Sequence, residues 1–169
     1  MMKKNLLLTV AVSVLALGSS SALAAEATGT GNIKAKIVSP VSITQQGNGL
    51  DFGTMISPSS ETTVTIAASN GARTSTDDSI LVGTSEGAAG IFEITGADGQ
   101  SVTVTLPSEV KLTGTPGGEM TVDNFASSEG NTFTLDGGSA IMKVGADLNV
   151  GAGQAQGTYT GSYKVTISY

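Results

Sequence analysis

The strongest pattern in the sequence is an unbroken alternation of two residue classes over its last twelve positions, 158–169. Successive side chains of a β-strand point to opposite faces, so the alternation predicts one strand with a buried face and a wet face. Because the sequence ends on the buried face, we expect this strand to find its neighbours among earlier segments or in another molecule. The predicted buried-face residues are Tyr159, Gly161, Tyr163, Val165, Ile167 and Tyr169.

The first 24 residues have the layout of a cleavable secretory signal. Two lysines, Lys3 and Lys4, precede an apolar run at residues 6–17, and small residues follow it. We expect cleavage between Ala24 and Ala25. The apolar run has twelve residues, fewer than the roughly 20 that a spanning helix needs. The sequence therefore predicts a mature chain of residues 25–169 without a membrane span, exported by a Gram-negative bacterium to the periplasm, the cell surface or the medium.

The mature region reads as short apolar-alternating segments separated by turn residues at spacings near ten. Segments such as Val64/Ile66 and Phe92/Ile94 lie between turn sequences such as Ser69-Asn70-Gly71. Short strands with regular turn signals are typical of a sandwich or barrel, and no stretch carries a helical apolar stripe. We predict an all-β fold, a single antiparallel β-sandwich domain over residues 25–169 in which residues 25–32 form a flexible N-terminal arm.

The composition narrows the possible chemistry. The chain has no histidine and no cysteine, so Ser-His-Asp and Cys-His catalysis and the usual zinc ligand sets have no residues to use. Removing the signal takes two of the eight basic residues and none of the 14 acidic ones, which leaves a formal charge of −8. That sign argues against nucleic acid or anionic lipid as a partner.

The carboxylates offer two candidate oxygen sites. Asp77 and Asp78 are the only adjacent acidic pair, and Asp123-Asn124 lies near Glu129 and Asn131. Neighbouring residues of an extended chain point apart, and neither segment has the spacing of a known calcium loop. We therefore expect Asp77 and Asp78 to lie in a solvated loop and neither segment to hold calcium, and we predict no enzyme activity, no cofactor and no metal.

Three uses of the last strand remain open. It could close a small outer-membrane barrel, although such strands need about 9–11 residues and most segments here are shorter. It could pair internally in a self-complete, monomeric binding domain of the periplasm or medium. It could also accept a strand from a neighbouring copy, since main-chain hydrogen bonds and alternate side chains support strand addition. The candidate donor is the longer segment Ala25–Ile37, hereafter the arm, and its donor residues share one face: Ala27, Gly29, Gly31, Ile33, Ala35 and Ile37.

A set of short motifs resembles a known family along nearly the whole mature chain. They are, in order, Ser39-Pro40-Val41-Ser42-Ile43-Thr44, Leu50-Asp51-Phe52-Gly53-Thr54, Gly71-Ala72-Arg73, Met120-Thr121-Val122-Asp123-Asn124-Phe125, Val150-Gly151-Ala152-Gly153-Gln154 and Gly157-Thr158-Tyr159-Thr160-Gly161. Together they resemble the bacterial secreted family called domain of unknown function 4402, which is similar to spore coat protein U and to chaperone–usher pilins.

The resemblance implies an immunoglobulin-like, pilin-like sandwich that a periplasmic chaperone could cap and an outer-membrane usher could receive. The function that fits both the residues and the resemblance is an exported structural protein of the cell surface. We expect a fimbria-like or coat-like subunit, whose partners are other copies of itself and that chaperone and usher. It would assemble by strand addition, with the self-complete binding domain as the alternative.

Overall fold

A computed structural model describes residues 26–83, 87–115 and 117–169. The predicted signal sequence and its cleavage site therefore lie outside the described residues. The predicted mature chain is described from Glu26 onward. By its internal contacts the chain divides into two units, residues 1–35 and 36–169. The described part of the first unit, residues 26–35, contains no strand.

The second unit is all-β, as the alternating segments predicted. Its eleven described strands are β1 (Ser42–Gln46), β2 (Thr62–Ile66), β3 (Arg73–Ser75), β4 (Gly90–Thr95), β5 (Ser101–Thr105), β6 (Glu109–Thr115), β7 (Glu119–Ser127), β8 (Thr132–Thr134), β9 (Ser139–Val150), β10 (Thr158–Thr160) and β11 (Thr166–Ser168). A short 3-10 helix, Asp78–Ile80, lies between β3 and β4.

The strands form two antiparallel sheets that pack as a sandwich. The larger sheet runs in the order β1-β4-β9-β7-β6-β10, and β2 joins it on β9 and carries β3. The smaller sheet has the order β11-β5-β8. Every pairing among the described strands is antiparallel, which confirms the predicted fold class.

The long strand β9 organises the larger sheet because it has different neighbours along its two halves. Its first half, residues 139–144, pairs with β4, and its second half, residues 146–150, pairs with β2. Gly145 sits at the changeover, and a Cβ there would collide with the backbone of Ile66 and Ala68. Only glycine leaves room for the chain to pass that close.

The interior has two apolar clusters with different covers. The strand-covered core lies between β4 and β9 of the larger sheet and β5 of the smaller one, and its buried members are Phe92, Ile94, Val102, Val104, Leu135, Met142 and Val144. The groove-side core takes strand residues from the larger sheet alone, and connecting segments cover it. Its buried members are Phe52, Val64, Ile66, Ile80, Ala89, Met120, Val122, Ala146, Leu148 and Val150.

The predicted single strand over residues 158–169 differs from the structure, which splits it into β10 and β11. β10 pairs with β6 at the edge of the larger sheet, and β11 pairs with β5 at the edge of the smaller one. Residues 161–165 between them have no strand partner among the described residues. The terminal segment, residues 158–169, leaves the larger sheet and joins the smaller one. It therefore cannot pair with one neighbouring strand along its whole length.

Candidate functional site: a groove beside the terminal segment

The second unit carries a groove of about 950 Å³. One wall is the connecting segment of residues 48–57, and the other is residues 154–163, which lead from the 151–157 turn into the terminal segment, residues 158–169. Inward-facing side chains of three strands form its floor. They are Val110 and Leu112 of β6, Met120, Val122 and Phe125 of β7, and Leu148 and Val150 of β9. The floor is therefore the surface of the groove-side core.

The first wall is held in place by Arg73, the last residue of the motif Gly71-Ala72-Arg73. Its guanidinium donates to the carbonyls of Phe52 and Thr54 at 3.1 Å each. It also donates to the carbonyls of Val82 and Gly83 at 3.1 and 3.0 Å. Four bonds from one planar cation tie the wall to the segment behind it. The groove therefore has a fixed wall on this side.

The two walls meet at one end of the groove. The amide of Gly153 donates to the carbonyl of Pro58 at 2.8 Å, which joins the 151–157 turn to the first wall. Next to this closure, Gln154 donates to the Tyr159 hydroxyl at 2.7 Å, and that hydroxyl donates to the Ala155 carbonyl at 2.8 Å. These bonds fix the start of the terminal segment, so the groove is closed at that end.

The three tyrosines of the terminal segment each pack where a strand or turn has glycine. Tyr159 lies over Gly114, Tyr163 over Gly90 and Tyr169 beside Gly96, at positions where a Cβ would collide with the ring or hydroxyl. An aromatic ring over a strand glycine covers backbone that would otherwise be bare. The three tyrosines thus anchor the terminal segment to its own subunit near its two ends and at one point between them.

The hydroxyls of these tyrosines differ in their partners. Tyr169 accepts from the Ala97 amide at 2.9 Å and donates to the Ser39 carbonyl at 2.7 Å, and Tyr159 is bonded as described. The Tyr163 hydroxyl is buried and has no hydrogen-bond partner among the described residues. Its ring packs edge-on against Phe92 and tilted against Phe125, with centroids 6.0 and 5.3 Å away, and burial raises the pKa of Tyr163 to about 12.

The side-chain alternation predicted for the terminal segment is largely kept even where the ladder breaks. Tyr159, Tyr163, Val165 and Ile167 are partly buried. Gly161 and Tyr169 are exposed, and so are all six residues of the opposite face. The structure therefore brings four of the six predicted acceptor residues onto one partly buried face.

The predicted donor residues lie on chain that forms no strand. Residues 26–41 have no regular secondary structure. Ile33 and Ile37 are 97% and 98% exposed, which is unusual for large aliphatic side chains. Ala27, Gly29, Gly31 and Ala35 are exposed as well. On an extended chain Ile33, Ala35 and Ile37 share a face, so the arm offers an apolar edge.

Neither of the two carboxylate candidates lines the groove. Asp77 caps the 3-10 helix, and the hydroxyl and then the amide of Ser79 lower the pKa of that carboxyl. Asp123 stands opposite Asp147 on the larger sheet. Among the described residues no group of three or more acidic side chains is gathered as a metal site would require.

Asp123 and Asp147 instead belong to a polar ladder across three strands. Asn149 donates to Asp123 at 2.9 Å, and Asp147 accepts from Thr65 at 2.6 Å and from Asn124 at 3.0 Å. Asn124 has a φ of 51° at the irregularity in the β7–β9 pairing. Glu129 and Asn131, which the sequence grouped with Asp123, do not take part in this ladder. The ladder links neighbouring strands of the larger sheet through their side chains.

Sequence reasoning missed two parts of the groove. Strand β6 was not predicted, although Val110, Leu112 and Gly114 alternate with polar residues. The first wall was visible only as the motif Leu50-Asp51-Phe52-Gly53-Thr54, apart from Gly71-Ala72-Arg73. Their contact through Arg73 depends on the fold, so spacing along the chain could not reveal it.

Comparison with known proteins gives one family. The family model described as Domain of unknown function (DUF4402) matches residues 41–169, which include every groove-lining residue. Neither the curated proteins nor the solved structures contain a match. Within the described ranges, no helix combines the length and the apolar character of a membrane span.

Proposed function

Because the chain belongs to the DUF4402 family, whose matched region contains the groove, we propose that the protein is an exported structural subunit of the cell surface. It assembles when the N-terminal arm of one copy occupies the groove of another. The observation that carries the proposal is the groove itself, with an apolar floor and the edge strand β10 as one wall. An edge strand beside an apolar groove is the arrangement that strand addition uses.

The arm has the chemistry of the occupant. Ile33 and Ile37 present exposed apolar side chains on one face, and Lys34 and Lys36 alternate with them. Residues 26–37 carry a formal charge of +1, whereas residues 38–169 hold four basic and 13 acidic residues, a charge of −9. A basic arm is attracted to an acidic domain, and opposite charges raise the rate of association.

The start of the second unit is bonded to a turn that does not line the groove, and this arrangement favours a chain of copies. Lys36 donates to Gln100, in the turn between β4 and β5, at 2.7 Å, and neither residue lines the groove. A contact between two different surfaces of identical subunits is heterologous, and such contacts build rings or open filaments. A fimbria-like or coat-like assembly follows, for which a periplasmic chaperone and an outer-membrane usher are the proposed helpers.

The test compares two variants of the full chain. Ile33→Asp with Ile37→Asp puts charge on the apolar face of the arm, and the matched control, Thr30→Asp with Asn32→Asp, adds the same charge to the opposite face. We expect wild type and control to form oligomers in size-exclusion chromatography and the isoleucine variant to stay monomeric. A synthetic peptide of residues 26–38 should bind the isoleucine variant, more weakly at high salt.

One other function has an observation in its favour. The groove volume of about 950 Å³ also falls within the usual range of small-molecule sites, which would fit a self-complete binding domain. If wild type and both variants are monomers and the peptide does not bind, the subunit proposal is wrong. A small apolar ligand that co-purifies with the monomer would then support the alternative.

A further inference from the structure

Strand β10 alone is a short acceptor. It has three residues, whereas typical strands have about five or six. The groove, however, continues along the terminal segment beyond Thr160 and is lined by Gly161, Ser162 and Tyr163. A strand laid in the groove would therefore run past the end of β10 and alongside residues that have no strand partner.

The pairing of β10 with β6 determines which way the main-chain N–H and C=O groups of β10 point. Opposed residues of antiparallel strands alternate between hydrogen-bonded and non-bonded pairs. Tyr159 stands opposite Gly114, and the Gly114 amide donates to Gly118, away from β10. Tyr159 and Gly114 are thus a non-bonded pair. The N–H and C=O of Tyr159 point to the open side of β10.

The same argument applies to β11. Ile167 stands opposite Val104, and the Val104 amide donates to Asn131, towards β8. The main-chain groups of Ile167 therefore also point away from their paired strand. Tyr159 and Ile167 are eight residues apart, an even number, so β10 and β11 have the same phase across the break.

The residues of the break also keep that phase. Tyr163 and Val165 turn partly buried side chains to the interior, as Tyr159 and Ile167 do, while Ser162 and Lys164 are exposed. The rings of Phe92 and Phe125 hold Tyr163 there. Residues 161–165 thus have the side-chain pattern of a strand without a ladder.

The geometry points to residues 161–165 as the second half of the acceptor edge: when the groove is filled, they pair with the added strand and join β10 and β11 into one continuous strand. This inference rests on the proposed function. The odd-numbered residues 159, 161, 163 and 165 supply the main-chain hydrogen bonds. Residues 158–169 then form one strand, as their alternation predicts, when the groove is filled. They form two strands separated by the break when the groove is empty.

The experiment follows amide hydrogen exchange, residue by residue, in the full chain carrying Ile33→Asp and Ile37→Asp. The probe is the synthetic peptide of residues 26–38, and a peptide with the same two aspartates is the control. We expect the added peptide to slow exchange at least tenfold at residues 159, 161, 163 and 165. The amides of Ser162 and Lys164, which point the other way, should slow less.

The outcomes separate this inference from the proposed function. If the peptide binds, by calorimetry and by protection of Tyr159, while residues 161–165 exchange as before, the acceptor edge ends with β10 and the inference is wrong. Equal protection at odd and even residues also overturns it, because that result reports general tightening. If the peptide does not bind at all, the proposed function fails and the inference falls with it.

Discussion

The two cores of the domain are built on the same strand and are covered differently. The first half of β9 packs into the strand-covered core, below a three-stranded sheet, and its second half packs into the groove-side core, below connecting segments and the groove. The inward-facing side chains of both halves are apolar, and all of them except the partly buried Ala140 are deeply buried. No described strand lies over the second half of β9, and the proposed strand addition would take place there.

Truncating one valine in each half of β9 should give the largest difference in stability between the two cores. Val144 and Val150 are 0% and 2% exposed on the same strand. We expect Val144→Ala to lower the free energy of unfolding by about 2–3 kcal/mol, because the strand-covered core cannot collapse around the lost methyls. Val150→Ala should cost about 1 kcal/mol, since the groove already leaves that side less packed. Urea denaturation of both variants measures this, and equal losses would contradict the contrast.

Removing the clamp on the groove wall should have the next largest effect. Arg73→Met deletes four hydrogen bonds to carbonyls of two segments, and we expect a loss of about 2 kcal/mol in the free energy of unfolding. Lys111→Met is the control, because it removes a cation whose exposed bridge to Glu119 is worth about 0–0.5 kcal/mol. Thermal unfolding of both proteins compares them, and similar melting temperatures would show that Arg73 does not hold the wall.

The tyrosines on either side of the β10 boundary should respond oppositely to loss of the hydroxyl. Tyr159→Phe removes two hydrogen bonds at the closed end of the groove and should cost about 1 kcal/mol. Tyr163→Phe removes a buried hydroxyl that no described residue bonds, so it should be neutral or stabilising by up to about 1 kcal/mol. A clear destabilisation by Tyr163→Phe, seen in urea denaturation, would mean that the hydroxyl has a partner in solution.

The smallest expected effect is a difference in stability between wild type and Tyr163→Phe at alkaline pH. Burial raises the pKa of Tyr163 in the folded protein to about 12, above the ordinary value of about 10. The folded state therefore binds this proton more tightly than the unfolded state does, and the resulting stability is complete below about pH 10 and lost as pH rises through about 12. Wild type should lose stability relative to Tyr163→Phe across that window. Parallel unfolding curves at each pH would exclude the effect.

Much of the strand content could be predicted from sequence, because half-buried strands carry their period in the side chains. The segments around Val64, Phe92, Val102, Met120 and Met142 all became strands. Strand β3 was missed because three residues show no period. The break at residues 161–165 was missed for the opposite reason, since the period continues through it and only the change of sheet reveals it.

The groove was less predictable than the strands. The terminal segment was identified as an acceptor from its pattern alone, but the opposite wall depends on contacts between distant motifs, such as Arg73 with Phe52. The arm was identified from alternation at Ile33, Ala35 and Ile37, and the structure shows its side chains exposed. Whether those side chains are exposed depends on tertiary contacts, and the alternation of residues along the sequence does not reveal such contacts.

Disulfide trapping between copies tests the central claim most directly, because the chain has no cysteine of its own. One protein carries Ile33→Cys in the arm, and a second carries Ile56→Cys in the groove wall, at a side chain 57% exposed. The matched control is Ile141→Cys, 55% exposed on β9 and not part of the groove. We predict a covalent dimer of the arm and groove variants under mild oxidation and none above background with the control. Equal trapping at both positions would contradict assembly through the groove.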